Sequence, residues 1–159
     1  MEGERTRETS FSEVTSEAIE SASLSFIGNI MQVPPIFSAI KKHGKKSYED
    51  AREGKTAEEL KIQPREVEIH STKILPLDHK GEGLPAFGLE VSCGKGTYIR
   101  SLIRDIGRSV DSAATMTWLE RTNQGPFNLE HALQKEKLNP DNIYAAIECA
   151  KKDILQKII

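Results

Sequence analysis

The stretch "VSCGKGTYIRSLIRDIG" (Val91–Gly107) changes its period halfway along, and that change decides how the chain is built. Phe87, Leu89, Val91 and Cys93 alternate with Gly88, Glu90 and Ser92, which suits a strand with one buried face. After the Gly94-Lys95-Gly96 turn the spacing lengthens. Ile99, Leu102, Ile103, Ile106 and Val110 fall on one helical stripe, and Arg100, Arg104 and Arg108 on another. A strand therefore runs into a helix through a glycine turn. Free backbone N–H groups and the helix dipole favour an anion at such a start, and Lys95 adds charge. The spacing is not that of the Gly-x-x-x-x-Gly-Lys-Ser/Thr loop, so a nucleoside triphosphate is not the expected ligand. An ordinary strand-to-helix turn with arginines facing water has the same pattern. The pattern alone leaves both readings open.

Working outward, "REVEIHSTKILPL" (65–77) opens on Val67 and Ile69 against Glu68 and His70 and reads as a second strand. The polar loop "DHKGEGLPA" (78–86) would let it pair antiparallel with the strand that follows. Further upstream, "FSEVTSEAIESASLSFIGNI" (11–30) predicts a helix capped by Thr15, with Val14 as a staple residue and Glu17 and Glu20 near its amino end. Ile19, Ala22 and Phe26 share its apolar face, and Gly28 is a natural stop. "QVPP" (32–35) forces an extended segment. "SYEDAREG" (47–54), which carries Tyr48, reads as one or two helical turns. Downstream, "ATMTWLERT" (114–122) is a third strand candidate and "NQGPFNL" (123–129) a turn. Asn139-Pro140 starts a last helix with Ile143, Ile147, Ala150, Ile154 and Ile158 on one face. Residues 1–12 read as an acidic, unstructured start and 13–159 as one domain, without repeats or linker.

Composition narrows the function classes. At 159 residues and 37% hydrophobic, the chain has room for one modest core. No apolar run approaches the roughly 18–20 residues that span a bilayer, so no membrane partner is expected. The amino end has no apolar core of a secretory signal and is too acidic for a mitochondrial presequence. Cys93 and Cys149 lack a Cys-x-x-Cys spacing, which points to a reducing, intracellular compartment. His43, His70, His79 and His131 are scattered, so no metal site is expected. Residues 1–25 hold six glutamates against two arginines, a net of −4, which leaves +2 for the rest of a chain whose total is −2. The basic residues cluster in "KKHGKK" (41–46) and on the arginine stripe, as a phosphate footprint would require. Phe37, Tyr48 and Tyr98 stand near them and could stack a base, a contact worth roughly 1–3 kcal/mol, or simply fill the core.

Three segments together, "GNIMQVPPIFSAIKKHGKKSYEDAREG" (28–54), "VSCGKGTYIRSLIRDIG" (91–107) and "LERTNQGPF" (119–127), resemble in order and spacing the TruB-type tRNA pseudouridine synthases. "VTSEAIESASLSF" (14–26) resembles the family's helix before the Pro-Pro segment, and "RTNQGPF" is similar to eukaryotic tRNA-modifying members. The resemblance runs from about residue 13 to 133 and looks like the carboxy-terminal part of a synthase. It implies an α+β fold, a mixed and mainly antiparallel sheet with flanking helices, forming part of the pseudouridine synthase fold. It implies isomerisation of a T-loop uridine of tRNA without metal or organic cofactor, with the T arm of tRNA as partner. By the same resemblance Tyr98 would contact the flipped uridine and Arg100 would pair with the nucleophilic aspartate. Lys41 and Tyr48 would shape the RNA side of the cleft, Lys95 would lie within reach of phosphate, and Leu119 would pack near the base.

One departure accompanies the match. The family's nucleophile lies in a Leu-Asp-x-x-Ala-x-Gly type segment upstream of the Pro-Pro motif, and this sequence has none. Its aspartates, at 50, 78, 105, 111, 141 and 153, stand in other contexts. The expectation is therefore a partial domain whose other half is missing, inactive alone, with apolar faces exposed and Arg100 turned to solvent for want of a counter-charge. A non-catalytic RNA-binding module derived from the family, or an adaptor without RNA affinity, are the alternative readings.

Overall fold

Thr15 starts the first helix by accepting a hydrogen bond from Ala18 N at 3.1 Å, as an N-cap threonine should. The helix, α1 (Ser16–Ser25), carries Glu17 in its first turn; hydrogen bonds, to its backbone first and to Thr15 second, hold that carboxyl below its ordinary value. This computed structural model describes residues 6–38, 41–42, 45–46, 62–75 and 84–156, with the backbone alone at 41–42, 45–46 and 153–156. The helical turns expected over 47–54 lie outside the described residues. Two compact units are present, Met1–Thr117 and Trp118–Ile159.

In the first unit a three-stranded antiparallel sheet has the order β1 (Gly28–Gln32), β4 (Arg65–Leu75), β5 (Gly88–Cys93). The two strands read from alternation do pair, Thr72 opposite Val91 and Ile74 opposite Leu89. Val67 and Ile69 are buried, then the phase slips and Thr72 is the next buried residue. The register gives the reason: a bulge between Ile69 and Ser71 leaves His70 without an opposite residue, so both halves of the strand keep their apolar side on one face. A short hairpin, β2 (Lys41–Lys42) with β3 (Lys45–Lys46), sets Lys41 opposite Lys46 and Lys42 opposite Lys45.

Helix α1 and the second helix, α2 (Ile99–Ser109), pack over that apolar face. Ile19, Ile69, Leu102 and Ile106 form the buried centre, with Phe26, Ile30, Leu89 and Val91 around it. Burying such an Ile or Leu contributes about 1.5–3 kcal/mol each. Glu66, Glu68, Lys73 and Glu90 alternate onto the other, exposed face. Gly107 lets α2 close its end tightly: a Cβ there would stand 2.6 Å from Ala114 N.

The segment after β1 has few hydrogen bonds of its own: Pro34 and Pro35 offer no backbone donor, and among the described residues the bond within it runs from Ser38 N to the Ile36 carbonyl at 3.0 Å. Helix α2 holds it. Ser101 Oγ and Arg104 Nη2 donate to the Val33 carbonyl at 2.8 and 3.1 Å, and Arg100 Nη2 donates to the Phe37 carbonyl at 2.7 Å. The result is a strap, residues 32–38, laced along the first two turns of the helix.

The second unit holds a small hairpin, β6 (Asn123–Gln124) with β7 (Phe127–Asn128), two 3₁₀ turns and the last helix, α3 (Pro140–Gln156). The hairpin coincides with the expected turn. Asn139 Oδ1 caps α3 by accepting from Asn142 N at 2.9 Å, as the Asn-Pro signal predicts. The helix's apolar face is largely open in this unit: Ile143 and Ile147 are 41% and 48% exposed, while Ala150 is buried. The strand expected over 114–122 does not form. No ladder partner reaches it among the described residues, and Trp118 and Leu119 are 73% and 51% exposed.

Gly107→Ala is expected to destabilise the chain by about 1–3 kcal/mol through backbone displacement, read as a lower midpoint in chemical denaturation. Ser101→Ala alone should cost little, since Arg104 still serves the Val33 carbonyl. Ser101→Ala with Arg104→Ala should exceed the sum of the single changes by about 0.5 kcal/mol or more in a double-mutant cycle.

Candidate active site

The chemistry-bearing residues gather where β5 gives way to α2. Gly94 N donates to the Glu68 carbonyl at 2.8 Å, which ends the ladder, and Gly96 adopts φ +86°, a conformation that glycine takes without strain. Thr97 Oγ1 donates back to the Gly94 carbonyl at 2.9 Å and closes the turn. Lys95 sits at its exposed tip.

Tyr98 is the residue before the first helical turn, half-buried, with φ −100° and ψ 106°. Its side chain makes no capping hydrogen bond. A residue of another element supplies one: Gln32 Oε1, at the end of β1, accepts from Tyr98 N at 2.8 Å. Gln32 is 1% exposed. Sequence reasoning missed both Gln32 and the strand that carries it. The only signal was a polar residue, two after Ile30, at a position whose alternation points to the core.

The arginine stripe divides in two. Arg104 forms a two-pronged ion pair with Asp105 at 2.8 and 3.0 Å, and Arg108 Nη1 lies 3.8 Å from the same carboxylate. Arg100 is exposed and is held by the Phe37 carbonyl alone, with no carboxylate beside it among the described residues. A carbonyl fixes a guanidinium in direction without cancelling its charge. Asp105 is thus engaged with its own helix, Asp111 stands in the turn after it at φ 54°, and Asp141 is in the first turn of α3.

Of the residues singled out in the sequence, Lys95, Tyr98 and Arg100 are brought together by consecutive placement on the turn and helix start. Lys41 lies on β2 of the same unit. Tyr48 lies outside the described residues. Leu119 stands exposed at the start of the second unit. That unit also has an open, mainly apolar groove of about 510 Å³ between Phe127, Leu133 and Leu138 on one side and Ile143, Ile147 and Ala150 on the other. Among the described residues no cluster of three or more His, Cys, Asp or Glu could hold a metal ion, and no helix is long and apolar enough to cross a membrane.

Comparison with known proteins gives this geometry its family. Residues 1–99 match the family model described as TruB family pseudouridylate synthase (N terminal domain). The mouse protein named pseudouridylate synthase TRUB1 is 41% identical over 147 residues, covering 92% of this chain and 41% of that protein. A Clostridium novyi protein named tRNA pseudouridine synthase B is 44% identical over 139 residues, covering 86% of this chain and 45% of its own length. Among solved structures, a chain in the crystal structure of a Cbf5-Nop10-Gar1 complex superposes with a TM-score of 0.58 at 26% identity, covering 86% of this chain and 36% of that one. The chain therefore spans less than half the length of these relatives. The α+β architecture agrees with that neighbour, and its described sheets are wholly antiparallel. With a family model over more than half its residues and the strand–turn–helix motif in place, this chain belongs to the TruB family of pseudouridylate synthases.

Proposed function

We propose that this chain works in the isomerisation of a T-loop uridine of tRNA to pseudouridine, as part of a TruB-type synthase active inside the cell. The observation that carries the reading is Arg100: a guanidinium aimed by the Phe37 carbonyl, one turn from Lys95 and beside Tyr98, with its charge uncancelled among the described residues. Isomerisation exchanges a C–N for a C–C glycosidic bond, so the base must leave its stack before the chemistry. Tyr98 is the residue to meet the extruded uracil. Arg100 is the residue to face an aspartate nucleophile, keeping it ionised and oriented. Lys95 serves a phosphate, Lys41 and Tyr48 shape the RNA side of the cleft, and Leu119 packs near the base. No metal or organic cofactor enters this scheme.

The relatives' names, pseudouridylate synthase and tRNA pseudouridine synthase B, support the reaction and the class of substrate. In this reading the nucleophile comes from a segment of the Leu-Asp type, which this sequence lacks; no described aspartate faces Arg100. The same observation supports a second reading, an RNA-binding module without catalysis.

Assaying the 159-residue chain on a T-arm RNA hairpin separates the two, both alone and joined to an upstream Leu-Asp segment of the family. No pseudouridine is expected from the chain alone, and turnover is expected once the segment is joined. RNA binding without turnover in the joined protein would favour the module. In that joined protein Arg100→Ala should lower kcat by roughly 10²-fold through misplacement of the nucleophile, with little change in KM. Binding of the hairpin should weaken with salt at a log–log slope near roughly −0.7 to −0.9 per phosphate contacted, whereas an adaptor without RNA affinity would show no such slope.

A further inference from the structure

Gln32 is an odd residue for its place. It ends β1 on the core side of the sheet and is 1% exposed. Its carboxamide orientation is fixed by chemistry: the atom facing the Tyr98 N–H at 2.8 Å must be the oxygen. The other half of the group, Nε2, is then a buried donor without a partner. Among the described residues Ser38 Oγ is the other buried side-chain polar atom left unmatched, and it lies at the far end of the same strap. Native proteins leave few such groups, and those they leave need a reason. A leucine or methionine at position 32 would fill similar space and remove the unmet Nε2, but it would leave the Tyr98 N–H without this acceptor. The carboxamide is retained although half of it is unsatisfied, and the contact it makes is with the backbone N–H of Tyr98. Where a local rule of stability is broken in this way, function is the usual cause.

We propose that Gln32 is a positioning residue for the uridine site. Its oxygen pins the N–H of Tyr98 to the end of β1 and so fixes the direction in which Tyr98 and the first turn of α2, with Arg100, face the base. Tyr98 cannot cap its own helix, so no local interaction does this work. Ser101 and Arg100 tie the same turn to the strap farther along, through their side chains and not through the Tyr98 peptide. The functional half of this inference rests on the reading of the chain as part of a uridine-isomerising enzyme. The structural half does not.

Three variants of the 159-residue chain test it: Gln32→Met keeps the shape and removes the acceptor, Gln32→Glu keeps the acceptor, and Gln32→Asn draws the acceptor back by one methylene. Amide hydrogen exchange at Tyr98, with Ile69 in β4 as the reference for global opening, reads the pin directly. Gln32→Met should speed exchange at Tyr98 by about tenfold relative to Ile69, and Gln32→Glu should restore it. The second measurement uses a T-arm hairpin with 2-aminopurine next to the target uridine, following affinity by anisotropy and base extrusion by brightening. Gln32→Met should keep affinity within about twofold, since phosphate contacts supply most of it, while brightening falls several-fold and returns with Gln32→Glu. Should Gln32→Met fail to fold, Gln32→Asn is read by the same two measurements. Unchanged Tyr98 exchange in the variant lacking the acceptor, or failure of Gln32→Glu to restore it, would overturn the pin. Faster exchange with undiminished brightening would overturn the role in base positioning. A native chain that neither binds nor brightens the hairpin would count against the family function in this chain, while the exchange measurement still decides Gln32.

Discussion

A proline-containing strap supplies few of its own hydrogen bonds, here one from Ser38 N to the Ile36 carbonyl among the described residues, and the structure of the first unit is organised around that deficit. Pro34 and Pro35 remove two backbone donors in succession, so the carbonyls of Val33 and Phe37 must find partners elsewhere. Helix α2 provides them from Ser101, Arg104 and Arg100. The helix has the complementary deficit, since its first N–H groups have no partner within it, and Gln32 meets that of Tyr98. Strap and helix thus complete one another. The exchange needs β1 beside β4 and α2 over the sheet, so the apolar core of Ile19, Ile69, Leu102 and Ile106 is what brings donor and acceptor together.

The same lacing sets Arg100 apart from the other two arginines of its helix. Arg104 and Arg108 share Asp105, and Arg104 also serves the strap. Arg100 is one turn earlier, where no carboxylate lies on its own helix within reach, and a neutral carbonyl holds it. Arg100 is therefore directed by a carbonyl and exposed, a state in which a guanidinium can meet a carboxylate or phosphate that approaches it. Three arginines at equal spacing become two kinds of residue through a single aspartate at position 105.

The chain's own residues account for a strand, a turn and a helix that present Lys95, Tyr98 and Arg100, in a chain that belongs to the TruB family. The second unit carries the "RTNQGPF" motif on a short hairpin, where Gly125 at φ +58° makes the turn and Arg121 Nη1 donates to Gln124 Oε1 at 2.8 Å. Its helix α3 leaves Ile143 and Ile147 substantially exposed.

The sequence by itself determined the elements whose signals are local. The cap at Thr15, the change of period at Gly94–Gly96, the stripe of α2 and the Asn-Pro start of α3 each depend on residues within a few positions, and the backbone follows them. Alternation in β4 was legible only to Ile69, because the bulge at His70 is set by pairing with β5. The tract 114–122 shows the converse: its composition suits a strand, but a strand exists only where another chain segment completes its hydrogen bonds. Only the tertiary structure decided what Arg100 touches and that Gln32 has any part in the site. Those contacts join residues 63 and 66 positions apart, and nothing in a local pattern can specify a partner that the core must first bring within 3 Å.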